Sequence, residues 1–256
     1  MIWRLSNVMK KILFSVLFLI SLAYLSANEK TLVFAFDPWP PYHEIVNGKE
    51  EGVLVEIVNE LFTKRLGYRI EYNQLPWARA QYQVKYGQSD FMITIPIGDR
   101  LEYTYASDIP VFVSKFVIYT YPDHPRFNEI ELIEGRDDLQ NAELAAVSIL
   151  GYKWFETNVE PYVSDFRYGI DDSEALILLS KKRADIIIAS EVPTNVHIKK
   201  LNLESLVTQT KAVYEEKEMH ILLSKENAVP GLLDELNTTL KEMKEEGVID
   251  KIMESF

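Results

Sequence analysis

The stretch DFMITIPIGDRLEYTYASDIP, residues 90–110, decides how this chain is read. Phe91 to Ile95 is an unbroken apolar run bounded by Asp90 and Pro96, the pattern of a strand buried on both faces. A short loop follows with Gly98, Asp99 and Arg100, and a second punctuated turn, Ser107-Asp108-Ile109-Pro110, closes the stretch. In open α/β sheets ligands bind outside the carboxyl ends of the strands, which is where Arg100 falls. Its planar fork suits a carboxylate, because two parallel N–H···O bonds fix orientation as well as adding energy. Spacing alone leaves an equal alternative: a surface arginine paired with Asp99 or Glu102.

Working outward towards the N-terminus, residues 76–86 open on Pro76-Trp77 and read as a helix, with proline at its favoured early position. Residues 68–75 alternate like a partly exposed strand. Val53, Leu54, Ile57, Val58, Leu61, Phe62 and Leu66 recur at helical spacing up to Gly67. Residues 31–36, TLVFAF, read as a buried strand that stops at Asp37-Pro-Trp-Pro-Pro-Tyr42, a stiff loop able to hold an aromatic wall at little entropic cost. Arg79 is either a second anion contact or a solvated helix residue. His43 and Glu44 read as a solvated pair. The resulting order, β-α-β-α-β, implies a largely parallel sheet.

Towards the C-terminus, residues 111–121 form a long strand-like run. Residues 128–141 are polar and read as a surface loop with a short helix, and residues 144–150 start a new sheet. Asp171-Asp-Ser-Glu174 is a capping box for a helix over 174–182. Residues 184–191 form a buried strand that delivers Ser190 and Glu191 to its carboxyl end. Residues 218–223 return the chain, and Pro230 starts a helix whose apolar face is Leu232, Leu233, Leu236, Leu240 and Met243.

The 256 residues, 47% hydrophobic and 26% charged, have the composition of an ordinary folded protein. Residues 1–27 read as a secretory signal peptide: Arg4, Lys10 and Lys11 precede the apolar run 12–25, and Ser26-Ala27 supplies the small residues before the cut. That apolar run is short for a membrane span, which needs about 20 residues. Without the segment 24 basic residues face 39 acidic ones, a net charge of −15, which argues against nucleic acid as a partner. The chain has no cysteine, which rules out disulfides, thiolate metal sites and a cysteine nucleophile. No phosphate loop or metal-spaced histidine pair appears, so neither cofactor nor metal is expected.

The run from Asp90 through Asp99-Arg100 to Tyr-Thr-Tyr-Ala-Ser-Asp-Ile-Pro resembles the signature of the family 3 extracellular solute-binding proteins. The C-terminal LNTTLKEMKEEGVIDKI, residues 236–252, resembles that family more closely still. LPWARA, residues 75–80, is similar to a branch whose helix begins P-W-x-R-A. The resemblance implies an α/β, bilobed periplasmic-binding-protein type II fold: two mixed or parallel sheets flanked by helices and joined by two hinge crossings. Residues 28–113 and 213–256 would form lobe 1, and 114–212 lobe 2. It further implies a periplasmic protein that holds a small carboxylate-bearing solute between its lobes and passes it to an ABC permease.

Carried over residue by residue, Arg100 clamps the carboxylate, Thr94 supplies a hydroxyl, Tyr42 and Trp77 form apolar walls, and Tyr152, Ser190 and Glu191 contact the ligand from lobe 2. Three departures stand out. The loop before Arg100 is short, Tyr152 replaces a serine or threonine, and Ser190 replaces the aspartate that pairs with a ligand ammonium. Either Glu191 takes over that pairing or the ligand lacks an α-ammonium. Asp185 matches a structural acid. The same fold also serves sensors that partner membrane receptors, and some relatives are cyclohexadienyl dehydratases, for which Glu191 would be the general acid.

Overall fold

The computed structural model describes residues 30–255; the expected signal peptide, residues 1–27, lies outside the described residues. In chain order the elements are β1 (Thr31–Phe36), β2 (Glu44–Val46), β3 (Lys49–Glu51), α1 (Val53–Val58), β4 (Arg69–Gln74), α2 (Trp77–Lys85), β5 (Phe91–Thr94), α3 (Arg100–Tyr103), β6 (Thr104–Ala106) and β7 (Phe112–Thr120). There follow α4 (Phe127–Ile130), α5 (Arg136–Ala142), β8 (Ala145–Ile149), α6 (Lys153–Asn158), β9 (Asp165–Gly169), α7 (Asp172–Ser180), β10 (Ile187–Ser190), α8 (Glu191–Lys200), β11 (Thr208–Ser224), α9 (Leu232–Glu245) and α10 (Val248–Glu254). The fold is bilobed and mixed α/β.

In the first lobe β1 lies between β4 and β5 and is parallel to both, as the β-α-β-α-β order requires. A central strand covered on both faces needs a nearly continuous apolar sequence, and TLVFAF supplies it. Phe34 stacks on Phe91 at 4.9 Å on one face, backed by Phe62 at 4.8 Å from Phe91. On the other face Ala35, Met92 and Leu222 pack under Ala80 and Val84 of α2. Asp90 fastens the strand ends: its Oδ2 accepts from the Val33 amide at 2.6 Å and its Oδ1 from Asn227 Nδ2 at 2.9 Å.

The second lobe has its own apolar core, in which Leu176 and Leu179 of α7 meet Val117, Tyr119, Val147 and Ile187 of the strands. There β8 runs parallel to β9, and Ala146 bridges to Ile186 at the start of β10. Asp185 accepts from the Ala145 amide at 2.8 Å and contacts His124 Nε2 at 3.0 Å, so it ties β8 to the turn after β7. Two antiparallel strands, β7 and β11, belong to both lobes. One end of β11 pairs β5 and β6 in the first lobe, while the pair β7–β11 carries β10 in the second. The crossing expected at 218–223 is therefore one end of a 17-residue strand, whose more polar half, TQTKAVYEEK, is only partly buried and gives no continuous apolar signal.

One element is added and one local reading changes. Residues 44–51 form a hairpin, β2–β3, turned by Asn47 (φ 53°) and Gly48 (φ 76°), the pair of positive φ values that a two-residue turn needs. His43 is buried, with its ring against Phe34 and Phe36, and burial pulls its pKa down to about 4. It is neutral and part of the core, not a solvated partner of Glu44.

The proline-rich loop after β1 also starts α1. The amides of Val53 and Leu54 donate to the carbonyls of Pro41 and Tyr42 at 3.1 and 2.8 Å, replacing a side-chain cap. This approach needs Gly52: its φ is 123°, and a Cβ there would lie 2.4 Å from the Tyr42 carbonyl oxygen. Gly52→Ala is expected to cost about 2–4 kcal/mol of unfolding free energy, measured by urea titration. A loss under about 0.5 kcal/mol would show that the loop yields.

Candidate functional site

The carboxyl ends of β1 and β5 from the first lobe face those of β8 and β10 from the second across a cleft. The first lobe contributes Asp37, Trp39, Trp77 and Thr94 to its walls; the second contributes Tyr152, Asp172 and Ser190. The lobes touch directly. Gln81 Nε2 of α2 donates to the Gly151 carbonyl at 3.2 Å, and Lys200 of α8 pairs with Glu44 at 2.8 Å. A Cβ on Gly151 would lie 3.1 Å from that of Ala78. This is a closed cleft.

Arg100 is fully buried behind the first-lobe wall, against Thr94 and Trp77, which is unusual for a guanidinium. Nε donates to Gln81 Oε1 at 3.1 Å, and Nη1 to Thr94 Oγ1 at 3.2 Å and to the Ile95 carbonyl at 2.9 Å. Nη2 is buried with no acceptor among the described residues. The Trp77 ring lies over the guanidinium, 5.3 Å from centroid to Cζ. Burial pulls the arginine pKa below its ordinary value, opposed chiefly by Tyr103 and Tyr152. Neither Asp99 nor Glu102 forms an ion pair with it among the described residues, so the surface-pair alternative is excluded.

The other expected residues divide. Thr94 lines the cleft and orients Arg100, while Trp77, at the first position of α2, lines it with a buried Nε1 that has no acceptor among the described residues. Tyr152 lines the opposite wall, and burial raises its phenol well above the ordinary value. Ser190 reaches the wall, but its hydroxyl shares a 2.6 Å hydrogen bond with Ser114. Tyr42 is buried behind Trp39, with its ring 4.6 Å from those of Trp39 and Phe112, so the aromatic in the wall is Trp39. Glu191 stands outside the lining, its Oε1 accepting from Gln209 Nε2 at 2.8 Å. Arg79 is solvent-exposed.

Asp37 and Asp172 are the site residues that sequence reasoning missed. Asp37 follows β1, and Asp172 follows the capping residue of α7. Asp171 caps that helix by accepting from the Glu174 amide at 2.8 Å, and Glu174 reaches back to the Ile170 amide at 2.7 Å. The capping box thus uses the acids on either side of Asp172 and leaves it free to face the cleft. Neither Asp37 nor Asp172 has a side-chain hydrogen bond or ion pair among the described residues. Each keeps slight solvent contact but is densely surrounded by protein. Burial and the facing Asp172 push Asp37 up to about 8, and burial and Asp171 push Asp172 up to about 6.

Comparison with solved structures shows the same fold. An ancestral arginine-binding protein bound to arginine superposes with a TM-score of 0.72 at 22% identity, over 89% of this chain and 98% of that one. A histidine kinase sensor domain with similarity to periplasmic binding proteins gives 0.73 at 19% identity, over 89% and 95%. An ancestral amino-acid-binding protein described as a precursor of cyclohexadienyl dehydratase gives 0.69 at 20% identity, over 90% and 96%. At these identities the likeness establishes the fold alone. No curated protein matches the sequence. The profile of the bacterial extracellular solute-binding proteins, family 3, matches residues 32–256, and with it the closed two-lobed cleft over a buried arginine has its explanation: this chain belongs to that family.

Proposed function

We propose that the protein captures a small carboxylate-bearing solute, an amino acid or a close relative, between its lobes in the periplasm and delivers it to an ABC transporter. The observation that carries this reading is Arg100: a fully buried guanidinium with three of its donor contacts made and Nη2 left without an acceptor. An unpaired buried donor of this kind costs roughly 1–3 kcal/mol, and more when charged, so an acceptor from a solute is favoured there. Trp39, Trp77 and Tyr152 form the apolar walls, Thr94 holds the arginine, and Ser190 contributes at the far wall. Residues 1–27 direct export, residues 28–113 and 213–256 form lobe 1, and 114–212 form lobe 2, with β7 and β11 as the hinge.

The family's membership and the arginine-binding and amino-acid-binding proteins among the structural neighbours support the solute class. The sensor domain among the neighbours keeps one other destination in view: the same capture step, reported to a membrane receptor instead of a permease. Co-purification of the exported protein with a permease or with a receptor decides between the two. The dehydratase reading took Glu191 as its acid, and that side chain is engaged by Gln209 outside the cleft.

Ligand at about 100 times its dissociation constant stabilises the protein by about 2.7 kcal/mol, so a thermal-shift screen of amino acids and small carboxylates detects it. Arg100→Ala is expected to weaken the carboxylate ligand by about 2–5 kcal/mol in isothermal titration. Unchanged affinity would remove Arg100 from the site. Closure itself titrates. Acids raised by burial favour the closed form fully below their open-form value near 3.8, and that preference is lost as pH rises through about 6 and 8. The radius of gyration of the ligand-free protein, measured by small-angle scattering, is expected to grow from pH 4 to pH 8.5. It should stay constant in the Asp37→Asn, Asp172→Asn double variant.

A further inference from the structure

Gln81 stands four residues after Trp77 on α2, so both side chains leave the helix on one face. Trp77 lies over the face of the Arg100 guanidinium, and Gln81 meets its edge: Oε1 accepts from Nε at 3.1 Å. The same amide reaches the other lobe, where Nε2 donates to the Gly151 carbonyl at 3.2 Å. Which end of the amide faces which partner is fixed by chemistry. An arginine Nε–H only donates and a backbone carbonyl only accepts, so a flipped amide would set donor against donor and acceptor against acceptor. The arginine therefore points the amide nitrogen at the second lobe.

The Gly151 side is equally constrained. Gly151 sits between β8 and α6 with φ 80°, and a Cβ there would lie 3.1 Å from that of Ala78, the α2 residue next to Trp77. A glycine at this point lets α2 come close enough for the glutamine to reach the carbonyl. The next residue is Tyr152, whose ring lines the cleft, and the Gly151 carbonyl also accepts from the Lys153 amide at 3.1 Å. One hydrogen-bond chain thus runs from the first-lobe guanidinium to the backbone beside the second-lobe wall. The charged and titratable groups bordering this contact are Lys85, Asp99, Tyr103 and Lys153, and none of them bonds to Gln81 among the described residues.

We propose that Gln81 is a positioning residue that couples closure of the lobes to the orientation of Arg100: its bond to Gly151 forms only in the closed form, with an amide that the arginine has already turned. This rests on the reading of the cleft as a solute site. With the lobes apart, Gln81 keeps Arg100 Nε and loses Gly151. A carboxylate held at Nη2 fixes the guanidinium, the guanidinium fixes the amide, and the amide bonds the second lobe, so occupancy at the arginine lengthens the life of the closed form. Linkage makes the effect reciprocal, since closed lobes hold the fork ready for its anion. A contact made only after closure acts on dissociation and leaves encounter unchanged.

The test is stopped-flow kinetics of the exported protein with whichever of the twenty amino acids gives the largest thermal shift. It is paired with the distance between spin labels at Thr63→Cys and Lys181→Cys, exposed positions of the first and second lobes in a chain without other cysteines. Gln81→Met is expected to raise the dissociation rate roughly tenfold, hold the association rate within about threefold, and lower the closed fraction. Gln81→Glu has the same shape and keeps the bond to Arg100 but turns an oxygen towards Gly151. It should dissociate at least as fast as Gln81→Met, also in a Lys153→Ala background that removes the second-lobe lysine beside the contact. In Arg100→Lys, which has no Nε to hold the amide, Gln81→Met should change the closed fraction less than about twofold. Parent-like dissociation in Gln81→Glu would make the glutamine a packing residue, and an undiminished Gln81→Met effect in Arg100→Lys would make it a latch independent of the arginine. Either result overturns the coupling and leaves the solute reading standing. If no amino acid binds the parent, the solute reading fails and the label distances decide the coupling: a parent that never closes, or a closed fraction unchanged by Gln81→Met, overturns it.

Discussion

The guanidinium of Arg100 carries five N–H donors, and the protein engages three of them. Its surroundings follow from the need to keep a cation fully buried. The Ile95 carbonyl and the Thr94 hydroxyl come from the end of β5, Gln81 comes from α2, and Trp77 covers the face. Neutral acceptors fix the direction of the fork without neutralising it. A carboxylate partner from the protein would have settled the charge; in the proposed function its place is taken by the carboxylate of the solute. Gln81 extends this control to the other lobe, since its amide oxygen holds Nε while its amide nitrogen holds the Gly151 carbonyl.

The hinge is consistent with such a division of labour. The lobes share β7 and β11, whose pairing is irregular between Gln209 and Glu215, so the ladder is weakest within the second-lobe half of the crossing. Across the mouth of the cleft, away from the β7–β11 crossing, the described residues make a neutral hydrogen bond at Gln81 and an ion pair at Glu44 and Lys200, a type worth about 0–1 kcal/mol when exposed. The two facing acids oppose closure at neutral pH. Binding free energy that appears only when both lobes touch the same molecule can therefore decide the equilibrium.

Much of the fold was legible because buried parallel strands announce themselves. TLVFAF and FMIT are apolar on both faces, and the glycines and prolines between elements mark the turns. The polar half of β11 was hidden because a strand at the hinge has one wet face, and the β2–β3 hairpin because its strands are only three residues long and carry lysine and glutamate. Of the residues matched through the family resemblance, Thr94, Trp77 and Tyr152 line the cleft, while Arg100, expected from its place after a strand, lies buried beneath Trp77. Tyr42 was placed one layer too far forward, since the stiff loop offers two aromatics and pattern cannot say which one faces in. Asp172 sat inside a capping box that explained its neighbours, and Asp37 looked like an ordinary strand terminator. They become neighbours only once two segments 135 positions apart in sequence meet across the cleft.

The measurement that bears most directly on Arg100 is a crystal structure of the protein with a solute that stabilises it. The account predicts closed lobes, a ligand carboxylate oxygen within hydrogen-bonding distance of Arg100 Nη2, and contacts to the same molecule from both Trp77 and Tyr152. A ligand bound elsewhere on the protein, with Nη2 still without an acceptor beneath Trp77, would contradict it.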